Sequence, residues 1–441
     1  MIEKYLVKKI TEPVDWKVTV PGSKSMTNRA LLMAVLSAGT VRVEGVLFSD
    51  DSRHFLACLV ALGFTVEIEE EKKCVTVTGC GGRIPRGEAV IDVGSAGTAA
   101  RFLAAMLGFS DGCYEIRCSA QMKRRPMAEL FDLLSGVGAK ITFLEEEGHL
   151  PVRITGCRYA RADKTAGETP RELSLDITKS TQFLSALLLI APMVPEGMKI
   201  HITSEKTDGS YIRITRKMMQ EFGVSVAFDG RDYEVPCRSS YQKETYMVEP
   251  DMSAACYFYA AAAVTGGRAL VRHVHMDNTQ GDLRFLEVLE HMGCTADDTP
   301  EGVLVTGPAD GALRGITVNM NDFSDQALTL AAIAPFADAP VRIEGIGHIR
   351  GQECDRIHAI QTNLTALGIR CEEEETAATI YPGSPHGGSV ETYDDHRVAM
   401  AFSLVGLRTD GIVIENPACC RKTFENYFTV LSELTGKKTE A

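Results

Sequence analysis

Pro21-Gly22-Ser23-Lys24-Ser25-Met26-Thr27-Asn28-Arg29 runs directly into the apolar stretch Ala30 to Ala38. A glycine turn with hydroxyls and two cations ahead of an Ala/Leu-rich helix is a way to build an anion site. The first-turn amides have no backbone partner, and the helix macrodipole places partial positive charge there. Lys24 and Arg29 add full charges. Alone, the stretch reads equally as a Ser N-cap with a solvated lysine; recurrence separates the two readings.

Six segments lead from a polar cluster into a small-residue apolar helix: Ser23–Ala38, Gly94–Gly108, Ser180–Pro192, Asp251–Gly266, Asp322–Pro335 and Tyr393–Gly406. Their starts lie roughly 70 to 85 residues apart, the signature of an internal repeat. A second, more amphipathic helix follows each, ending at Gly63, Gly138, Gly223, Gly293, Gly368 and Gly436, where a left-handed C-cap is expected. Short β-branched runs such as Val41–Val43, Cys74–Val77, Lys199–Ile202, Ala269–Val271 and Val341–Ile343 read as strands. The first helix of each unit is apolar all round and is expected to be buried on all sides, the second to lie outside. The fold class is therefore α/β, with six units.

The chain of 441 residues exceeds what one core usually serves, which favours two domains of roughly 200 residues with three units each. The boundary is expected near Tyr246 to Asp251; Met1 to Val20 precede the first repeat, and pairing with the second half would make that domain discontinuous. The formal net charge of −13 without a basic tail argues against a nucleic-acid or acidic-membrane binder. No apolar run reaches membrane-span length, and the mixed polar sequence from Met1-Ile2-Glu3-Lys4-Tyr5 lacks the apolar core expected of a signal peptide. Thirteen cysteines without a Cys-x-x-Cys pair point to reduced cytosolic thiols and to no metal site.

Further clusters stand at the remaining helix starts. Gly94-Ser95-Ala96-Gly97-Thr98 lets backbone approach a ligand. Arg124-Arg125-Pro126 is expected to begin the second unit's outer helix, and Lys179-Ser180-Thr181-Gln182 offers more hydrogen-bonding groups than a cap needs. Asp322 and Asp325 open the fifth inner helix. Helical spacing is expected to bring Gln352 and Glu353 to Arg356. Asp395-His396-Arg397 opens the sixth inner helix, and Arg421-Lys422 its outer one. Each cluster alone reads as solvated decoration. Lys24, Arg29, Arg125, Arg356, Arg397 and Lys422 together, in an acidic chain, imply an interdomain cleft for small, highly anionic ligands.

These motifs resemble the 5-enolpyruvylshikimate-3-phosphate synthases (3-phosphoshikimate 1-carboxyvinyltransferases) of the enolpyruvyl transferase family, in register from about Val20 to Phe428. The resemblance implies a two-domain inside-out α/β barrel of six βαβαββ units, three per domain, divided as 1–21 plus 248–441 and an inserted 22–247. It implies enolpyruvyl transfer from phosphoenolpyruvate to the 5-hydroxyl of shikimate 3-phosphate by a cytoplasmic monomer, with no cofactor, metal, nucleic acid or membrane. Lys24, Ser25, Arg29, Ser180, Thr181, Gln182, Asp325 and Gln352 are the implied contacts to shikimate 3-phosphate. Lys24, Gly97, Arg125, Gln182, Arg356, Arg397 and Lys422 are those to phosphoenolpyruvate. Lys24, Asp325 and Glu353 are the implied catalytic groups.

Three positions depart from the pattern: Ser95 for Asn, Gln352 for Lys, and Asp208 for a phosphate-binding Ser. The last places a carboxylate where it repels phosphate, so Asp208 stays outside the expected site. A sister transferase acting on UDP-N-acetylglucosamine is disfavoured by Lys24-Ser25 and by Cys118 standing seven residues before Arg125. A non-catalytic paralogue that binds shikimate phosphate is the rival of another class.

Overall fold

The computed structural model describes residues 3–157, 169–308 and 312–436. Its contacts divide the chain into two compact units. One holds Gly22–Glu249, and the other holds the segment up to Pro21 together with that from Pro250 onward.

The helices alternate inner and outer. In the first unit they are α1 (Lys24–Leu36) and α2 (Asp50–Ala61), then α3 (Gly97–Gly108), the single turn α4 (Ala120–Lys123) and α5 (Ala128–Gly136), then α6 (Thr181–Ile190) and α7 (Ser210–Glu221). In the second they are α8 (Met252–Thr265) and α9 (Phe285–His291), α10 (Ala327–Ile333) and α11 (Arg356–Ala366), and α12 (His396–Arg408) and α13 (Tyr427–Leu434). Burial follows composition. Every residue of α3 and α10 is buried, as is every residue of α8 up to Val264 and of α12 up to Leu407. The six glycines after the outer helices all have positive φ, the conformation a side chain resists.

The described strands form six sheets, five of four strands and one of three. All five four-stranded sheets share one order: an edge strand parallel to its neighbour, followed by two antiparallel partners. In the three-stranded sheet Gly388–Val390 lies parallel to Ile412–Glu415, and the N-terminal Lys4–Leu6 takes the antiparallel place. Asp15–Val18 likewise pairs with Arg268–Arg272. The N-terminal segment is thus stitched into two sheets of the unit that begins again at Pro250.

A second glycine pattern ties sheet to inner helix. Gly79, Gly156 and Gly307 each follow an antiparallel strand and donate to the carbonyls of Gly39, Gly112 and Gly267 at 3.0, 2.9 and 2.8 Å. A Cβ on them would lie 2.2 Å from Ser37 O, 2.2 Å from Ser110 O and 2.4 Å from Ala262 O. Only a missing side chain lets the strand end this close to the helix C-terminus.

Three expectations fail locally. Arg124-Arg125-Pro126 does not begin the outer helix: α5 starts at Ala128, because Arg125 N closes a turn on Met122 O and Met127 N bonds Gly148 O. The stretch Asp322–Pro335 is split into turns of 3-10 helix at Ser324–Gln326 and Ala334–Phe336 around α10, the latter containing Pro335, which cannot donate. Arg421-Lys422 does not open α13 but ends a 3-10 stretch, Pro417–Lys422, entered through left-handed Asn416. No described helix is long and apolar enough to cross a membrane.

Gly79→Ala is expected to destabilise the protein by about 1–3 kcal/mol, because backbone must move. Gly136→Ala, at an exposed helical position with nothing within 4 Å of the new Cβ, should be neutral or stabilise by about 0.5–1 kcal/mol. Urea unfolding midpoints of the two variants test this contrast.

Candidate active site

In the unit Gly22–Glu249, α1 begins at Lys24 behind Ser23, whose hydroxyl makes no capping bond. Lys24 Nζ lies 3.3 Å from a carboxylate oxygen of Asp51, a residue 1 % exposed. Neither oxygen of Asp51 has a hydrogen bond among the described residues, so this ion pair is its compensation. No sequence pattern marks Asp51 itself; the nearest signal is the Ser49–Ser52 capping box around it.

Arg29 is fully buried. Its Nε donates to Thr215 Oγ1 at 2.8 Å, Nη1 to Ser25 O at 2.9 Å, and Nη2 to Ser185 Oγ and Tyr211 O at 3.4 and 3.3 Å. Burial lowers its pKa to about 10, with Tyr211 and Tyr246 opposing. The guanidinium lies behind Ser25 and pins that turn to α7.

At the start of α3, Thr98 Oγ1 accepts from Asn28 Nδ2 at 2.7 Å. A Cβ on Gly97 would lie 2.5 Å from Arg125 Nη1 and 2.8 Å from Arg101 Nη1. Two guanidinium groups therefore cover the backbone at Gly97, and Arg101 Nη1 also donates to its carbonyl at 3.0 Å. At α6, Ser180 Oγ caps Gln182 N at 3.2 Å, and Gln182 Oε1 is buried with no hydrogen bond among the described residues. Lys179, counted with this cluster in the sequence, is exposed and pairs with Glu129 at 2.6 Å.

In the other unit a single buried side chain organises the cluster. Arg356 Nε donates to Asp395 Oδ2 at 2.8 Å and Nη2 reaches Asp395 Oδ1 at 3.3 Å. Nη1 donates to Asp325 Oδ1 at 2.9 Å and to Gln352 Oε1, and Nη2 to Glu353 Oε2 at 2.9 Å. Asp325 and Glu353 each bridge Arg356 to a second cation: Asp325 Oδ2 to Arg397 Nη2 at 2.9 Å, and Glu353 Oε1 to Lys422 Nζ at 3.1 Å. Burial pulls the Arg356 pKa down, yet Asp395, Glu353 and Asp325 outweigh it and hold it above its ordinary value. Gln352 and Glu353 reach Arg356 from a bend in the chain ahead of the helix, because α11 begins only at Arg356 with Asp355 as N-cap; helical spacing is not what brings them there. Asp395 is the N-cap of α12, accepting from Arg397 N at 2.9 Å.

Beside this cluster lies Asp282, which no local pattern announces. Ser253 Oγ donates to its carboxylate. Burial, reinforced by Asp325 and opposed by Arg397, pushes its pKa up to about 7.

Arg356→Met would leave three poorly hydrated carboxylates facing one another and is expected to cost about 3–5 kcal/mol in urea unfolding. The raised pKa of Asp282 has a definite sign. The folded state binds its proton more tightly, so the associated stability is present below the ordinary value of 3.8 and is lost as pH rises to about 7. Asp282→Asn should flatten that limb of the stability profile measured between these limits.

Over residues 8–431 the chain matches the family model for EPSP synthase (3-phosphoshikimate 1-carboxyvinyltransferase). A protein of Trichormus variabilis named 3-phosphoshikimate 1-carboxyvinyltransferase is 41% identical over 429 residues, covering 97% of this chain and 98% of its own. One from a Sulfurovum species is 39% identical over 426 residues, covering 96% and 97%. The structure of EPSP synthase from Acinetobacter baumannii aligns with a TM-score of 0.78 at 25% identity, covering 98% of this chain and 97% of that one. With a family match along nearly its whole length and relatives of this identity and coverage, the chain belongs to the EPSP synthase family.

Proposed function

We propose that this chain transfers the enolpyruvyl group of phosphoenolpyruvate to the 5-hydroxyl of shikimate 3-phosphate, releasing phosphate, as the shikimate-pathway step toward chorismate and the aromatic amino acids. Within the family, the observation that carries this reading is the Arg356 cluster, where Asp325 and Glu353 are each held by two cations. An anionic substrate competes with those carboxylates for Arg397 and Lys422. A carboxylate that loses a cation becomes more basic, so arrival of the substrate itself would turn Asp325 and Glu353 into proton-transfer groups.

The reaction is an addition followed by an elimination. The 5-hydroxyl loses its proton to Asp325 as its oxygen bonds C2 of phosphoenolpyruvate, and C3 gains a proton from Glu353. Glu353, now a carboxylate, takes a proton back from C3 as the C2–O bond to phosphate breaks, and the C2–C3 double bond re-forms in the enol ether product. Lys24 shares the proton work and spans both substrates. Gly97, Arg125, Gln182, Arg356, Arg397 and Lys422 would hold phosphoenolpyruvate, whose charge several preorganised cations can neutralise.

Ser25, Ser180, Thr181, Gln182, Asp325 and Gln352 would hold shikimate 3-phosphate. Gln352, with its carbonyl engaged by Arg356, has its amide nitrogen left as donor. Arg29 enters this set through the Ser25 backbone that it fixes; a direct contact requires it to exchange one of its present bonds. The same reading takes the six units as βαβαββ repeats arranged three by three in an inside-out barrel, supported by the common strand order of five sheets. It takes the protein as a cytoplasmic monomer working on small molecules.

Phosphate release from phosphoenolpyruvate is expected with shikimate 3-phosphate and not with UDP-N-acetylglucosamine as acceptor. Lys24→Met and Asp325→Ala should each slow it by about 100-fold or more, the scale of a lost acid–base group. Binding of shikimate 3-phosphate without release by the unaltered protein would favour the non-catalytic paralogue instead.

A further inference from the structure

Asp282 is a buried carboxylate beside the Arg356 cluster to which the proposed reaction gives no role. Its turn, the 3-10 stretch Gly281–Arg284 ahead of α9, is fixed on two sides. Toward α8, Gln280 Oε1 accepts from Met252 N at 3.2 Å and Gln280 Nε2 donates to Pro250 O at 2.7 Å. Ser253 Oγ donates to Asp282 Oδ2, and Cys256 Sγ to Asp282 O at 3.7 Å. Toward the turn that carries Asp325, the Arg284 guanidinium stands 4.9 Å from the centre of the Phe323 ring, and its Nη1 lies 3.9 Å from Asp322 Oδ2. Two turns, each bearing an aspartate, therefore abut.

The charged groups around Asp282 come from every element packed there. Asp251, at the N-cap of α8, and Asp325, ahead of α10, are negative; Arg397 of α12 is positive and also holds Asp325 Oδ2 at 2.9 Å. Arg284 on its own turn is directed at Asp322, and burial keeps the Cys256 thiol neutral. Burial first, and Asp325 next, raise the proton affinity of Asp282. The interaction between two carboxylates is mutual, so an ionised Asp282 raises the proton affinity of Asp325 to the same extent. Arg356 and Arg397 act on Asp325 in the opposite sense, favouring its charged form.

We propose that Asp282 is a positioning residue of the reaction: its carboxylate, held by Ser253, is a built-in counter-charge to Arg356 and Arg397 that sets how strong a base Asp325 is. This rests on the reading of Asp325 as the base. Asp282 acts through Asp325 and not on the substrates. Neutral Asp282 leaves Asp325 under its two guanidinium groups alone; charged Asp282 makes it the better proton acceptor.

Two measurements on the intact protein test this: kcat/KM for phosphate release against pH, and an infrared titration of the Asp325 carboxyl, identified by difference against Asp325→Asn. The isosteric Asp282→Asn should move the acid limb of kcat/KM and the Asp325 titration together, down by about 1 pH unit. It should also lower the plateau about 3- to 10-fold, because proton transfer follows basicity. Ser253→Ala, which removes a hydrogen bond that favours ionised Asp282, should shift both in the same direction by less, and it decides the matter if Asp282→Asn does not fold. A slower rate with an unmoved limb and an unmoved Asp325 titration is a merely structural effect and overturns the proposal. Unaltered protein that releases no phosphate defeats the catalytic reading, whereas the infrared titration still decides whether Asp282 governs the proton affinity of Asp325.

Discussion

A helix buried on every side can carry polar chemistry only at its ends. The inner helices here have no exposed face along most of their length, so charged groups collect in the turns that lead into them. Those turns must also answer the unpaired amides of the first helical turn. Ser180, Asp251 and Asp395 do so with their own side chains. Ser23 and Ala96 make no capping bond, and the starts of α1 and α3 are instead where Lys24 and the pair Arg101 and Arg125 stand. Packing thus dictates where a ligand can be met before any chemistry is chosen.

The same constraint explains the Arg356 cluster. A lone guanidinium at that depth is costly, and three carboxylates make it tolerable only if each has a second partner. Arg397, Lys422 and the backbone amide of Arg397 provide these for Asp325, Glu353 and Asp395 respectively. Arg356, Arg397 and Lys422 against Asp325, Glu353 and Asp395 sum to zero formal charge, so the cluster is stable yet poised. An anion brought to Arg397 or Lys422 would compete with the carboxylates and raise their basicity, whereas a neutral molecule has no charge with which to compete.

What the sequence reveals follows from what is local. Small apolar residues recurring through a whole helix mark α1, α3, α6, α8, α10 and α12, and a glycine after an amphipathic run marks where the outer helices stop. Helix starts are less legible, because they depend on distant backbone: α5 begins late since Met127 N is held by Gly148 O, a partner no local pattern contains. The same limit hides Asp51 and Asp282. Each is an ordinary carboxylate in its own segment and acquires meaning only from Lys24, or from Ser253, Asp325 and Arg397, brought to it by the fold.

Asp208 shows how a residue read singly misleads. In the sequence it is a negative charge where phosphate is expected, an apparent repulsion. In the fold it is one member of a set whose sum matters: Arg213, five residues on and in the first turns of α7, cancels it, and Tyr233 orients it. A substitution that looks disqualifying in a binding motif is therefore weighed by the charge of its nearest shell. Here Arg213 and Tyr233 hold both oxygens of Asp208, so the carboxylate stands as half of an ion pair and not as a bare negative charge.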